Sequence, residues 1–291
     1  MNYRVTHSTA YDYSEPVTVS HHVARLEPRV TPTQRKIEFD LQVTPEPSVR
    51  TLHTDYFGNS ACFFSIEQLH KQLEVTATSI VEVTAEPLQA LDVSPAWETV
   101  AEMFRDPVSS VVAEAYQFVF DSPLLRANPA LADYARESFT ADTPLLVGVR
   151  DLTKRIHRDF KFDPTATTIS TPLLEVFEKR HGVCQDFAHL AIACVRSVGL
   201  AAHYVSGYLL TEPPPGQPRL IGADYSHAWF SVFCPHLGFV DFDPTNDCLP
   251  AERHVTTAIG RDFSEVSPLA GVVIGGGHHT LEVAVSVEPI D

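Results

Sequence analysis
The chain has 291 residues, 44% hydrophobic and 20% charged, enough to pack a core in one large domain or two ordinary ones and too apolar for disorder. Its 21 basic and 37 acidic side chains leave a formal net charge of −16, which argues against nucleic acid and anionic membranes as partners. No apolar run approaches the length of a membrane span.

The stretch from Met1 to His7 alternates polar and apolar residues and lacks the charged start and apolar block of a secretion signal, so the expected location is cytoplasmic. Residues 17–20, 36–43 and 73–83 alternate with period two and are rich in β-branched side chains, the pattern of half-buried strands. Prolines and turn pairs such as Gly58-Asn59 separate them. A β-rich, sandwich-like antiparallel domain is expected over residues 1–90. The spacing then becomes helical at 99–104, 111–118, 128–138 and 145–160. In the last segment Leu146, Val149, Leu152, Ile156 and Phe160 form a core-facing stripe. Another helix begins at Thr171-Pro172, with proline in its first turn.

A helix after Gly182 carries Phe187, Leu190, Cys194, Val195 and Val198 at helical spacing and stops at Gly199. Strands are expected at 202–209, 227–233 and 239–243, with a Pro-rich loop at 213–216 between the first two. Gly275-Gly276-Gly277 precedes a final strand at 280–287. Residues 91–291 therefore read as a helical segment joined to an α+β domain.

Chemistry concentrates in this second unit. Cys184 falls in the first turn of the helix after Gly182, where the positive end of the macrodipole favours an anion and free backbone N–H groups can receive an oxyanion. A free thiol titrates near ~8.5, and a helix N-terminus or an imidazolium brings that into the range of roughly 3.5–7.5. Downstream, Ser226-His227-Ala228-Trp229 and Phe242-Asp243-Pro244-Thr245 flank a short turn. In an antiparallel hairpin with Phe233 opposite Leu237, His227 stands opposite Asp243. A slip of two residues leaves them diagonal on one face. Asp241 shares that face and is a rival carboxylate. A thiol, an imidazole and a carboxylate in this order are the parts of an acyl-transfer site.

Several ordered motifs carry a resemblance. Thr171-Pro172-Leu173-Leu174-Glu175-Val176, Gly182-Val183-Cys184-Gln185-Asp186-Phe187-Ala188, Tyr204-Val205-Ser206-Gly207-Tyr208, Ser226-His227-Ala228-Trp229 and Phe242-Asp243-Pro244-Thr245-Asn246 closely resemble the microbial transglutaminase-like family, often described as cysteine proteases. The match is strong over residues 150–250. The start, Tyr3-Arg4-Val5-Thr6-His7 through Arg25-Leu26-Glu27-Pro28-Arg29, resembles the β domain that accompanies such cores. The resemblance implies a papain-like α+β core, no metal or cofactor, a peptide or protein amide substrate, and a triad at Cys184, His227 and Asp243. It selects Asp243 over Asp241.

Tyr208, Tyr225 and Trp229 are candidates for lining the substrate cleft. Asp186 and His189 read as structural support on the nucleophile's helix, and Cys194 as core. The pairs His21-His22 and His278-His279 do not chelate a metal alone, because adjacent strand residues point to opposite faces. Five cysteines without a CxxC pair fit reduced thiols better than disulfides or structural zinc. Two other classes fit some of these features: a catalytically silent binding module of the same fold, and a thiol- or histidine-based metal protein.

Overall fold
The computed structural model describes residues 1–84, 90–107, 109–211 and 226–290. The 213–216 loop and Tyr225 lie outside them. The alternation at the N-terminus belongs to a strand much longer than its local signal. β1 (Asn2–Ala24) buries its odd residues from Tyr3 to Thr9, loses regular alternation around Ser14–Pro16, and buries Ser20, His22 and Ala24 beyond it. Strands β2 (Gln34–Thr44), β3 (Val49–Thr54), β4 (Ser60–Ile66) and β5 (His70–Val83) complete the order β2-β5-β1-β4-β3, all antiparallel. β5 pairs with the first half of β1 and β4 with its last residues, with a register break between Asp12 and Val17. Side chains from both halves, including Leu41, Phe64 and Leu73, share one core. The expected sandwich is therefore a single sheet whose two halves enclose common apolar side chains.

Helices α1 (Trp97–Met103), α2 (Ser110–Tyr116), α3 (Pro129–Arg136) and α4 (Leu145–Asp159) follow, close to their expected positions. Asn128 caps α3 by accepting the Ala130 N–H at 2.9 Å. The whole Leu146 to Phe160 stripe of α4 is buried. A short parallel pair, β6 (Lys161–Phe162) with β7 (His181–Gly182), brackets α5 (Leu173–Lys179). Next comes α6 (Cys184–Ser197), ended by Gly199 at φ +84°.

α6 packs on a four-stranded sheet of order β10-β9-β8-β11, formed by β8 (Ala202–Leu209), β9 (Ser226–Cys234), β10 (Gly238–Phe242) and β11 (His254–Gly260). Ala228, Phe230 and Val232 face α6 in the main core, so the alternate residues His227, Trp229 and Ser231 face the other way.

The chain then returns to its start. β12 (Leu269–Gly275) and β13 (His279–Ile290) pair antiparallel with β1, from Ala24 opposite Leu269 to Asn2 opposite Ile290. The strand expected at 280–287 was placed in the 91–291 unit; together with β12, which was not expected from sequence, it completes the first sheet instead. Tyr3, Val5, Val285 and Val287 of that sheet meet Tyr208 and Val255 of the second in a small core. Each such side chain contributes about 1.5–3 kcal/mol by burial. His7 Nδ1 and the Tyr208 hydroxyl, 3.0 Å apart, add a hydrogen bond across the same seam. No helix among the described residues is long and apolar enough to cross a membrane.

Candidate active site
Local chemistry fixes where α6 starts. The Asp186 carboxylate curls back to accept the Val183 N–H at 2.9 Å and also takes the Thr167 hydroxyl at 2.6 Å. Residue 182 must be glycine for this, since a Cβ there would stand 2.8 Å from Asp186 Oδ2. Burial pushes the Asp186 carboxyl up in spite of those two bonds. Cys184 is thereby held as the first helical residue, half-buried, with the N–H groups of the first turn lacking intrahelical acceptors.

The imidazole and carboxylate come from the β9–β10 hairpin. Phe233 stands opposite Phe239, so the register is slipped by two from the directly opposed pairing. His227 and Asp243 are accordingly diagonal neighbours, and His227 Nε2 meets Asp243 Oδ2 at 2.7 Å. Cys184 lines the same cleft as His227, and its thiol is among the groups that favour the charged ring. With Nε2 committed to Asp243, Nδ1 is the nitrogen left for sulfur. The three expected residues therefore meet in space.

Asp243 is fully buried, and its oxygens are saturated. Oδ1 accepts the Thr245 N–H at 2.9 Å and the Asn246 N–H at 3.2 Å. Oδ2 accepts from His227, from Asn246 Nδ2 at 2.7 Å and from His254 Nε2 at 3.2 Å. Burial alone would raise this carboxyl, but the bonds from His227 and His254 outweigh it and hold Asp243 well below the usual carboxylate range. The same opposition acts on His227. Burial disfavours the imidazolium, while the bonds to Asp243 and Cys184 favour it more, and the ring is pushed up to about 10. The rival Asp241 stands opposite Ser231. Burial raises its carboxyl, and its neighbours are Ser231, Trp229 and His254, not His227.

His254, on β11, was not singled out from sequence. It sits alone between a loop and a strand, and no local pattern links it to a carboxylate eleven residues earlier. His227, Asp243 and His254 place their ligand atoms within 4.8 Å of one another, a spacing that could hold a metal. Both imidazoles are within hydrogen-bonding distance of the one Asp243 oxygen, which explains the cluster without an ion.

Other candidates resolve as packing. Tyr208 is buried with its hydroxyl on His7, and Trp229 is buried edge-on to His254. Tyr225 lies outside the described residues. His189 accepts the Phe263 N–H at 3.1 Å, and burial lowers its ring to about 4, so it is a neutral structural acceptor. Cys194 is fully buried, and its thiol is pushed up to about 12. Beside Cys184 and His227 opens a cleft of about 350 Å³, with Tyr204, Ser226 and Phe263 on the core side and strands of the β domain opposite.

Residues 3–82 match the bacterial transglutaminase-like N-terminal region, and residues 132–244 match the core of the transglutaminase-like superfamily. The chain belongs to this superfamily. An uncharacterised protein of Mycobacterium tuberculosis is 40% identical over 297 residues, covering 99% of this chain and 93% of that protein. A solved structure described as a candidate cysteine protease of Cytophaga hutchinsonii shares the transglutaminase-like fold. It has a TM-score of 0.75 at 19% identity and covers 100% of this chain and 92% of its own. A protein-glutamine gamma-glutamyltransferase of Pseudomonas aeruginosa is 28% identical over 137 residues, 43% of this chain and 20% of that protein. The transglutaminase-like core, 132–244, contains Cys184, His227 and Asp243 and stops just short of Asn246 and His254.

Proposed function
We propose that the chain is a thiol enzyme that transfers the acyl group of a peptide or protein amide to water or an amine through a thioester. The observation that carries this reading is the arrangement around His227. Its Nε2 lies 2.7 Å from a saturated, buried carboxylate, and it shares one cleft with a thiol at a helix N-terminus.

Each residue then has a role. His227 takes the Cys184 proton, and the imidazolium that results is the form its surroundings favour. Sulfur attacks the amide carbon, and the first-turn N–H groups of α6 are placed to receive the developing oxyanion. His227 returns its proton to the leaving amine as the C–N bond breaks. Water or an amine next attacks the thioester, again deprotonated by His227, and the thiol is restored. Asp243 fixes the imidazole orientation and stabilises its charge throughout.

Incubation with glutamine-containing peptide amides, with and without added primary amine, tests this reading by mass spectrometry. The expected result is a thioester adduct on Cys184 or its turnover products, absent in Cys184→Ala. Products formed with water alone identify an amidase or protease, and amine-linked products a transglutaminase. Wild-type protein that gives neither adduct nor product, under conditions where it is folded, supports the silent binding module instead.

A further inference from the structure
The β domain contributes one whole wall of the cleft beside Cys184. Along β13, Val285 and Val287 are buried against the catalytic core, at 1% and 0% exposure. Two and four residues earlier on the same face, Val283 and Leu281 are 52% and 51% exposed, and they line the cleft. Across the ladder, Thr9 stands opposite Val283 and Tyr11 opposite Leu281, and both also line it. The apolar face that docks the two domains thus does not end at the seam. It continues, uncovered, up to the nucleophile.

Singly exposed aliphatic side chains are ordinary. These two adjoin a thiol whose acyl substrate must lie in the same space. Ile169, 65% exposed, reaches the cleft from the core side. Among the described lining residues there is no Lys, Arg, Asp or Glu, in a chain whose net charge is −16. The wall is also anchored, because His7 bonds both Tyr208 at 3.0 Å and Thr9 at 3.1 Å. Apart from His227 itself, these residues offer a charged substrate side chain no charged partner, whereas an aliphatic or aromatic one would cover the exposed face.

We propose that Leu281, Val283 and Tyr11 of the β domain form the specificity wall of the site and seat an apolar, uncharged side chain next to the carbonyl attacked by Cys184. This inference rests on the acyl-transfer reading above, and its test separates the two. The whole protein is labelled with N-ethyl-, N-butyl- and N-hexylmaleimide. Cys184 Sγ adds to the ring alkene, the adjacent carbon takes the proton, and mass spectrometry follows the Cys184 and Cys248 peptides separately.

A fully buried methylene is worth about fourfold in rate if the transition state feels it. Partial burial predicts a rise of about tenfold from ethyl to hexyl at Cys184, with no such trend at Cys248. In Leu281→Asn/Val283→Asn, two half-exposed positions, the trend flattens below about threefold, while the labelling rates of Cys248 keep their wild-type values and show that the fold is intact. A trend that is absent in wild type, or that survives in the double variant, overturns the specificity wall. If His227→Ala labels with N-ethylmaleimide as fast as wild type, the catalytic reading fails, whatever the chain-length trend.

Discussion
Helix α6 holds two thiols ten residues apart, and their surroundings give them different chemistry. Cys194 lies mid-helix, fully buried among apolar neighbours, and its thiol is pushed up to about 12. Cys184 sits at the first turn, half-buried, and lines a cleft together with His227. Residue type is the same, so the difference belongs to helix position and to one hairpin. On the proposed acyl-transfer reading, a nucleophile is a place in the fold more than a kind of side chain.

The largest effect follows from exchanging these two places. Cys184→Ala is expected to lower amide turnover by at least about 10⁴-fold, as loss of a nucleophile does. Cys194→Ala should leave turnover within twofold and cost about 1 kcal/mol in denaturant unfolding, the scale of a small core truncation. Next in size, Asp243→Asn should reduce kcat by about 10³–10⁴-fold, because the amide cannot hold His227 in the same tautomer and charge. Asp241→Asn, one pleat away but facing other partners, should change kcat by less than about threefold. Equal effects of the two substitutions would mean that the carboxylate has been wrongly chosen.

His254→Gln should lower kcat by about tenfold with KM little changed. It removes one charge-assisted bond of about 1.5 kcal/mol from Asp243 Oδ2. His254→Gln with unaltered kinetics would assign that bond to packing alone. The smallest effect concerns stability against pH. Folding raises His227 from 6.5 to about 10, so the ion pair with Asp243 stabilises the fold fully below about 6.5 and is lost as pH rises through about 10. The difference in Tm between wild type and His227→Gln should be largest near pH 6 and shrink towards pH 10. A difference that grows with pH contradicts the charged pair.

Much of the site was legible because its signals are local. A glycine, a helix-start cysteine and a hairpin with alternating side chains pointed to Cys184 and His227 and to a carboxylate at Asp243 or Asp241, between which the family resemblance chose. The hairpin geometry allowed two registers, and the slipped one is observed, with Phe233 opposite Phe239. That the hairpin reaches Cys184 required tertiary packing and came from family resemblance alone. His254 was missed because its bond to Asp243 joins β11 to the residue just after β10, and these two strands are not neighbours in their sheet. The pairing of Asn2 with Ile290 was equally invisible, since no local pattern records a partner almost the whole chain away. β1 itself was only partly recognised, because Asp12-Tyr13-Ser14-Glu15-Pro16 interrupts its alternation at the register break.

The most direct measurement is the rate of alkylation of Cys184 by iodoacetamide from pH 5 to 9, read by mass spectrometry in wild type and His227→Ala. Wild type should label rapidly well below pH 8, and the variant should lose that advantage and follow an ordinary thiol. Equal profiles in the two proteins, or wild-type labelling no faster than that of an ordinary exposed thiol, would contradict the assignment of Cys184 and His227 as nucleophile and base.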